Sequence, residues 1–138
     1  MESILTSIKN LLGINEECKD FDNEIIPHIN TAFLALQQIG VTLSNTFMVT
    51  SDSETWEDVF GSIKYIDAIK TYTFIKVKLV FDPPSSSSIL ESLKQAVDTL
   101  EWRINFEVEN ANDETNIVDI ENDVDEIIDL QESLINKE

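Results

Sequence analysis

His28 and Cys18 are the residues of this chain best suited to nucleophilic or proton-transfer chemistry, and each residue type occurs once. A nucleophilic serine or cysteine needs a neighbouring base, so such a mechanism would have to use His28. That histidine follows Pro27 in a segment whose isoleucines predict a buried helical face, which favours an ordinary surface or edge position. Cys18 lies among acidic residues, which disfavour a thiolate. The pattern therefore predicts no nucleophilic site.

Carboxylates crowd the last part of the sequence, where calcium binding is the chemistry to consider. Residues 119–130 contain Asp119, Glu121, Asp123, Asp125, Glu126 and Asp129. An EF-hand loop needs a glycine at its sixth position, and this segment has none, so a solvated helical face is favoured over weak calcium binding. The glycines of the chain are isolated and form no phosphate-binding loop. We therefore expect no enzyme activity, no metal and no cofactor.

The net charge is the strongest compositional signal. Lys and Arg number 9 against 27 Asp and Glu, which gives 9 − 27 = −18. A surface of this sign repels phosphate, which excludes a sequence-specific nucleic-acid binder and a protein that binds anionic membranes. We expect no signal peptide, because the start of the sequence lacks a basic n-region and an apolar h-region, and no membrane span, because no apolar run approaches the ~18 residues that a span needs. The single cysteine excludes an internal disulfide and favours a reducing compartment.

Hydrophobic spacing predicts an all-α protein, a small helical bundle of about four to five helices with an acidic C-terminal helical extension. The 138 residues fit one domain, and only 3 Gly and 3 Pro disfavour a fold of many strands and turns. Apolar residues recur at steps of three and four in residues 2–12, which predicts a helix that ends at Gly13. They recur again in a segment that starts with the acidic, cap-competent residues 20–24 and runs to Gly40, where an N-cap at Asn23 would bring Pro27 close to the first turn.

The next part of the chain combines a loop with a short helix. Residues 41–53 lose the helical spacing and predict a long loop with extended stretches. Thr55 and Asp58 then resemble a capping box, in which each residue satisfies an amide of the other. Gly61 is predicted to end the short helix that follows.

The segment 64–81 carries two conflicting signals. Its second half is rich in β-branched and aromatic residues, which by propensity alone favours a strand. No hairpin partner lies nearby, and the apolar spacing favours a buried helix. The predicted stripe is Ile63, Ile66, Ile69, Thr73, Val77 and Val80. Asp82, Pro83 and Pro84 then force an extended elbow.

Ser88 and Glu91 form an S-x-x-E pattern that predicts a second capping box at the start of another helix. The stripe of this helix is Leu90, Leu93, Val97, Leu100 and Ile104. Residues 109–116 have no apolar residue larger than alanine and predict a linker. We therefore divide the chain into a helical domain, 1–108, and an acidic linker with a C-terminal amphipathic segment, 109–138.

The C-terminal segment is too acidic to form a stable helix alone. Residues 111–138 contain ten acidic residues and one basic residue. Their repulsion makes an isolated helix marginal, so its apolar seam predicts ordering against a neighbour or partner. The seam is the set of residues Ile117, Ile120, Val124, Ile127 and Leu134.

Trp56, Phe60 and Trp102 are, with the seam, the candidate contacts between subunits or with a partner. The basic residues that accompany nucleic-acid stacking platforms are few and scattered, which disfavours stacking on bases. A core position is an equally good interpretation of each aromatic residue.

Residues 71–84, followed by a helix that ends with residues 101–105, resemble the central part of head-to-tail connector proteins of long-tailed bacteriophages. The features that carry the resemblance are Asp82-Pro83-Pro84 and the later Glu101-Trp102-Arg103. The helix start at 21–26 and the segment 55–58 stand in the order expected for that family, so the resemblance covers residues 1–108. It implies an all-α subunit of a homo-oligomeric, dodecameric ring beneath the portal vertex, through which packaged DNA passes.

The resemblance also implies partners and a location. The portal protein is expected on one side of the ring, and a stopper or other neck or tail protein on the other. The protein is expected in the virion at the head–tail junction, after synthesis in the bacterial host cytoplasm. Docking of residues 111–138 onto the portal is a further hypothesis.

An acidic DNA mimic, which binds and blocks a DNA-binding protein, is the alternative function that the net charge permits. The elbow formed by Asp82, Pro83 and Pro84 lies between two strongly apolar helices. A DNA mimic has no need of such an elbow, which favours the connector.

Overall fold

The computed structural model describes the backbone of residues 2–44 and 48–135 and, within these ranges, the side chains through residue 112. This part of the chain contains five α-helices. The helices are α1 (Ile4–Leu11), α2 (Asp22–Gln38), α3 (Trp56–Phe60), α4 (Ile66–Phe81) and α5 (Ser87–Ile135). No β-strand occurs in this part of the chain, so the predicted all-α class is confirmed. The chain divides into two compact units, Met1–Asn105 and Phe106–Glu138. The predicted division between residues 108 and 109 stays a prediction.

α1 starts at a side-chain cap and buries one face. The Ser3 Oγ accepts a hydrogen bond from the Thr6 amide at 3.3 Å. Leu11, which the stripe predicts to be buried, is 55% exposed because it is the last residue of the helix. Gly13 follows with φ of +81°, a left-handed conformation that ends the helix as predicted. The buried apolar residues of α1 are Ile4, Leu5 and Ile8.

A buried ion pair joins the end of α1 to the start of α2. Lys9 is 2% exposed, and its Nζ lies 2.8 Å from the Asp22 Oδ1. The same ammonium donates to the carbonyl oxygens of Glu16 at 3.1 Å and Cys18 at 2.6 Å. Because the buried charge is both paired and hydrogen-bonded, the protein tolerates its desolvation. The loop between the two helices is therefore closed around Lys9.

α2 begins at Asp22, within the predicted start signal of residues 20–24. Phe21 is the N-cap, and its carbonyl oxygen accepts from the Ile25 amide at 3.0 Å, so Asn23 is not the cap. Pro27 consequently lies inside the helix, where it lacks the amide that would bond to the Asn23 carbonyl. Packing of the apolar face against α4 outweighs this lost bond. The residues of that face are Ile25, Ile29, Ala32, Phe33 and Leu36.

The loop that precedes α3 is held by Glu54. Residues 41–44 and 48–53 form neither helix nor strand, as predicted. The Glu54 carboxylate accepts from the Thr50 amide at 3.1 Å, the Thr50 hydroxyl at 2.7 Å and the Ser51 amide at 3.1 Å. Burial alone would raise the pKa of Glu54, but the hydrogen bonds from Thr50 and Ser51 outweigh burial and lower that pKa.

The predicted capping box starts α3. The Asp58 amide donates to the Thr55 Oγ1 at 3.1 Å, and the Thr55 amide donates to the Asp58 Oδ2 at 3.0 Å. A β-bridge between Ser3 and Thr55 joins the start of α1 to this cap. Gly61, with φ of +67°, ends α3 as predicted.

α4 is a helix despite its β-branched and aromatic sequence, so the predicted buried helix is confirmed. Its packing against α2 overrides the local strand propensity. The Thr73 Oγ1 donates to the Ile69 carbonyl at 2.8 Å, which satisfies the hydroxyl inside the core. Val80, the last residue of the predicted stripe, is 62% exposed because it lies in the final turn beside the elbow. The buried residues of α4 are Ile69, Tyr72, Thr73, Ile75 and Val77.

α5 departs from the sequence prediction at two places. It begins at Ser87, so Ser88 lies inside its first turn and the predicted capping box with Glu91 is wrong. The Ser86 carbonyl already accepts a helical hydrogen bond of 3.0 Å, which sets this earlier start. The helix also continues through residues 109–116, so the predicted linker is wrong as well. That segment contains neither Pro nor Gly to end a helix.

Within the first unit, α5 packs more lightly than α4 does. Val97 and Ile104 are buried, whereas the three leucines of the same stripe are half-buried. The Asn105 Nδ2 donates to the Ile39 carbonyl at 2.9 Å, which joins α5 to the end of α2.

Candidate functional site

Trp56 and Phe60, two of the three predicted interface aromatics, are core residues. They are 3% and 5% exposed. Both rings pack edge-on against Phe33, with centroid distances of 6.0 Å for Trp56 and 5.0 Å for Phe60. The Trp56 Nε1 donates to the buried Ser7 Oγ at 2.8 Å. This burial agrees with the core position that was the other interpretation of these aromatics, and a contact role for Trp56 and Phe60 stays a prediction.

Trp102, the third aromatic, lies on the surface of α5. It is 69% exposed. Trp102 stands two positions before the buried Ile104, and a helix of 3.6 residues per turn carries two such positions to opposite sides. The structure therefore places Trp102 off the packed stripe, and its role in a contact stays a prediction.

The seam of the C-terminal segment lies on α5, whose backbone is helical to Ile135. Its side chains lie outside the described residues, so the contact role of the seam stays a prediction. The seam residues are Ile117, Ile120, Val124, Ile127 and Leu134.

The elbow lies at its predicted position. Asp82 follows the last residue of α4 with φ of −143° and ψ of 66°, outside the helical region. Pro83 and Pro84 continue as non-helical chain up to the start of α5. The Lys78 Nζ lies 3.5 Å from the Asp82 Oδ2. This exposed ion pair between residues one turn apart links the elbow to α4.

An exposed apolar patch, which we call the elbow patch, lies beside this connection and was missed by the sequence analysis. Phe21 packs edge-on against Phe81, with ring centroids 5.6 Å apart. Phe21 is 41% exposed and Val80 is 62% exposed. The chain neighbours of the two rings include Asp20 and Asp82, the second of which is paired with Lys78, so the patch has charged groups at its edge.

A second apolar surface, which we call the α2 groove, was also missed. Leu34 and Met48 are 60% and 62% exposed and line a groove of about 100 Å³. The Asn30 Nδ2 donates to the Val49 carbonyl, and the Val49 amide donates to the Asn30 Oδ1, both at 2.9 Å. The signal that would have found this surface is the absence of charged residues from 25–51. The remaining lining residues are Asn30, Phe33, Gln37 and Leu43.

A larger cleft, of about 310 Å³, lies between the start of the chain and the start of α4. Lys70 at its wall lies 2.9 Å from the Glu2 carboxylate. The same ammonium stands 5.9 Å from the centre of a Trp56 ring. Because its charge is already paired with Glu2, this lysine offers little attraction to an anionic ligand.

The Tyr72 hydroxyl connects α4 to α5. It donates to the Glu101 Oε1 at 2.9 Å. Burial, the hydrogen bond to Glu101 and the negative charge of Glu101 raise the pKa of Tyr72 well above its usual value. The hydroxyl therefore stays protonated and serves as a structural donor.

Four of the seven lysines in the described part of the chain lie in ion pairs. The partners are carboxylates, and the pairs are Lys9–Asp22, Lys19–Asp52, Lys70–Glu2 and Lys78–Asp82. With 27 acidic residues in the chain, this pairing leaves the carboxylates in large excess. Such a surface repels a polyphosphate.

Neither a metal cluster nor a membrane span is found among the residues that the structure describes. There, no three His, Cys, Asp or Glu side chains are grouped so that they could hold a metal ion. No helix in the same part combines the length and the apolar character that crossing a bilayer requires.

A family model described as phage connector protein matches residues 4–111 of the chain. A search of curated proteins finds no match, and neither does a search of solved structures. The matched range includes the elbow, the elbow patch, the α2 groove and Trp102. The seam residues lie beyond it.

Proposed function

The chain belongs to the phage connector protein family, and we propose that it forms a ring that joins the capsid portal to the tail or neck proteins and lets DNA pass through. The family match over residues 4–111 is the observation that carries this proposal. The chain is thus a structural head–tail connector of a bacteriophage, and its proposed partners are the portal and a stopper or other neck protein. We place it at the head–tail junction of the virion, after synthesis in the host cytoplasm, as a homo-oligomer of twelve copies.

The charge of the chain supports the passage of DNA. Each copy carries −18, and the lysines of four ion pairs are already matched by carboxylates of the same chain. A duplex that moves through the ring would find few cations able to bind its phosphates. Repulsion at the channel wall keeps the DNA mobile, so we expect no sequence-specific binding.

Two unlike surfaces on one chain support a closed ring. Neighbouring copies in a ring make heterologous contacts, in which one surface of each copy meets a different surface of the next. The elbow patch and the α2 groove are two exposed apolar surfaces with different surroundings, the first edged by charged residues and the second uncharged. Trp102 adds an exposed aromatic on α5.

The acidic C-terminal segment is proposed to dock onto the portal. Residues 111–138 contain ten acidic residues and one basic residue, and their repulsion makes an isolated helix marginal. Burial of the apolar seam against a partner would therefore stabilise this segment. A chain that ends at residue 110 should keep the fold of the first unit and fail to attach to the portal. Circular dichroism reports the fold, and co-purification with the portal reports attachment. Unchanged attachment would contradict docking by this segment.

Assembly with the portal protein is the experiment that tests the proposed ring. The full chain and the portal protein of the same phage should be co-expressed and examined by native mass spectrometry and negative-stain microscopy. We expect a ring of many copies attached to the portal. A chain that stays monomeric and does not bind the portal would overturn the proposal.

Competition with DNA separates the connector from the DNA mimic. A mimic would displace duplex DNA from a basic DNA-binding protein in a salt-dependent way. The connector should neither bind duplex DNA nor displace it at ordinary ionic strength. Displacement of DNA, combined with a failure to form rings, would favour the mimic.

A further inference from the structure

A long uncharged stretch interrupts this strongly acidic chain. From Ile25 to Ser51 the sequence contains no Asp, Glu, Lys or Arg, although 26% of all residues are charged. Charged residues resume on both sides, at Glu24 and Asp52. A solvated helix face in such a chain normally carries carboxylates, so their absence from this stretch calls for a physical reason.

The fold gathers part of this stretch into one exposed surface, the α2 groove. Leu34, on the outer side of α2, is 60% exposed, and Met48, from the following loop, is 62% exposed. The polar residues of the groove are Asn30 and Gln37, which carry amides instead of charges. Exposed apolar side chains framed by amides are typical of a surface that becomes covered.

The groove is held in shape before any partner binds. The two hydrogen bonds between Asn30 and Val49, both 2.9 Å, fix the loop against α2. Phe33, which lines the groove, is 3% exposed and packs edge-on against Phe60 at 5.0 Å. A preorganised surface of this kind loses little entropy when it binds.

We propose that the α2 groove is the surface on which a second copy of this chain docks, an inference that rests on the proposed ring. A basic partner would gain attraction from an acidic surface and gains none from an uncharged one. An acidic partner, in contrast, is repelled by carboxylates and tolerated by an uncharged surface. The chain itself, at −18, is such a partner, so neighbouring copies need one contact surface without charge.

A photo-crosslinking residue at position 34 identifies the occupant of the groove directly. It should be introduced into the full chain, assembled with the portal protein and irradiated, and the cross-linked peptides should be identified by mass spectrometry. We expect cross-links to a peptide of a second copy. Cross-links to the portal or to another neck protein, or none between copies, would overturn the inference.

A charge series at the same position tests the electrostatic reason. We expect Leu34→Glu to weaken assembly at least about tenfold more than Leu34→Gln, because both remove the apolar contact and only the first adds a repelling charge. Leu11→Glu is the matched control, since Leu11 is 55% exposed on α1 and lies outside the groove. Equal assembly by the Glu and Gln variants, or an equal loss in the control, would overturn the electrostatic reason.

The outcome for the wild-type chain separates this inference from the proposed function. If the wild-type chain forms no ring with the portal, the proposed ring and the docking inference both fail. If the ring forms and position 34 cross-links to no second copy, only the docking inference fails.

Discussion

α4 and the first part of α5 share the same apolar spacing, yet the structure buries them very differently. Ile69, Thr73 and Val77 of α4 are completely buried. Of the α5 stripe only Val97 and Ile104 are buried, its three leucines are half-buried, and Ile89 and Trp102 lie exposed beside the stripe. Spacing therefore defines a helix and its face, whereas the number of neighbours that surround the helix decides how much of it is covered. The exposed apolar area of α5 suits a protein whose packing is completed by other chains.

The largest difference in lost stability is expected between substitutions of the two tryptophans, Trp56 and Trp102. Trp56→Ala removes a buried ring from the cluster with Phe33 and Phe60 and leaves the Ser7 hydroxyl without its donor. We expect a loss of about 3–5 kcal/mol in the free energy of unfolding. Trp102→Ala, at an exposed position, should cost no more than about 0.5 kcal/mol. Urea denaturation of the two variants measures this difference, and equal losses would mean that the cluster is not the core.

The next largest difference in lost stability is expected between the removal of two lysine ion pairs, one buried and one exposed. Lys9→Met leaves the Asp22 carboxylate buried without its cation, which should cost about 3 kcal/mol of unfolding free energy. Lys78→Met removes the exposed pair with Asp82 and should cost at most about 0.5 kcal/mol. The double variant Lys9→Met with Asp22→Asn should recover part of the loss. If Lys9→Met unfolds in the same urea concentration as the wild type, the buried pair contributes nothing.

The smallest of the three differences in stability is expected at the contact between α4 and α5. Tyr72→Phe removes the hydrogen bond to Glu101 and should cost about 1 kcal/mol near neutral pH. Folding raises the pKa of Tyr72, so the protonated hydroxyl stabilises the folded state fully at any pH below the pKa of the unfolded chain, about 10. This stabilisation is lost as the pH rises above that pKa. The wild type should therefore lose stability between neutral pH and about pH 11 more steeply than the Phe variant. Parallel pH profiles for the two proteins would contradict this role.

The sequence predicts most of the helices because their signals are local. Thr55 and Asp58 form the expected capping box, and the spacing of Ile69 and Val77 correctly favours a helix over a strand for α4. The errors arise where several starts are chemically acceptable. Ser86 precedes Ser88 in a serine run, and the sequence alone does not decide which of the two lies outside the helix.

The surfaces were harder to predict than the helices. Trp56 and Trp102 are the same residue type, and only the tertiary packing shows that the first is buried and the second exposed. The α2 groove was missed because apolar spacing identifies only the buried face of a helix, and Leu34 lies on the opposite face of α2. The uncharged stretch from 25–51 marks that surface in sequence, but its meaning depends on which residues the fold exposes.

The location of the protein in the virion tests its role as a connector most directly. Purified phage particles should be labelled with gold-coupled antibodies against this chain and imaged by electron microscopy. We predict gold at one site per particle, at the junction of head and tail. Particles without label, or label on the capsid surface or the tail tip, would contradict a connector role.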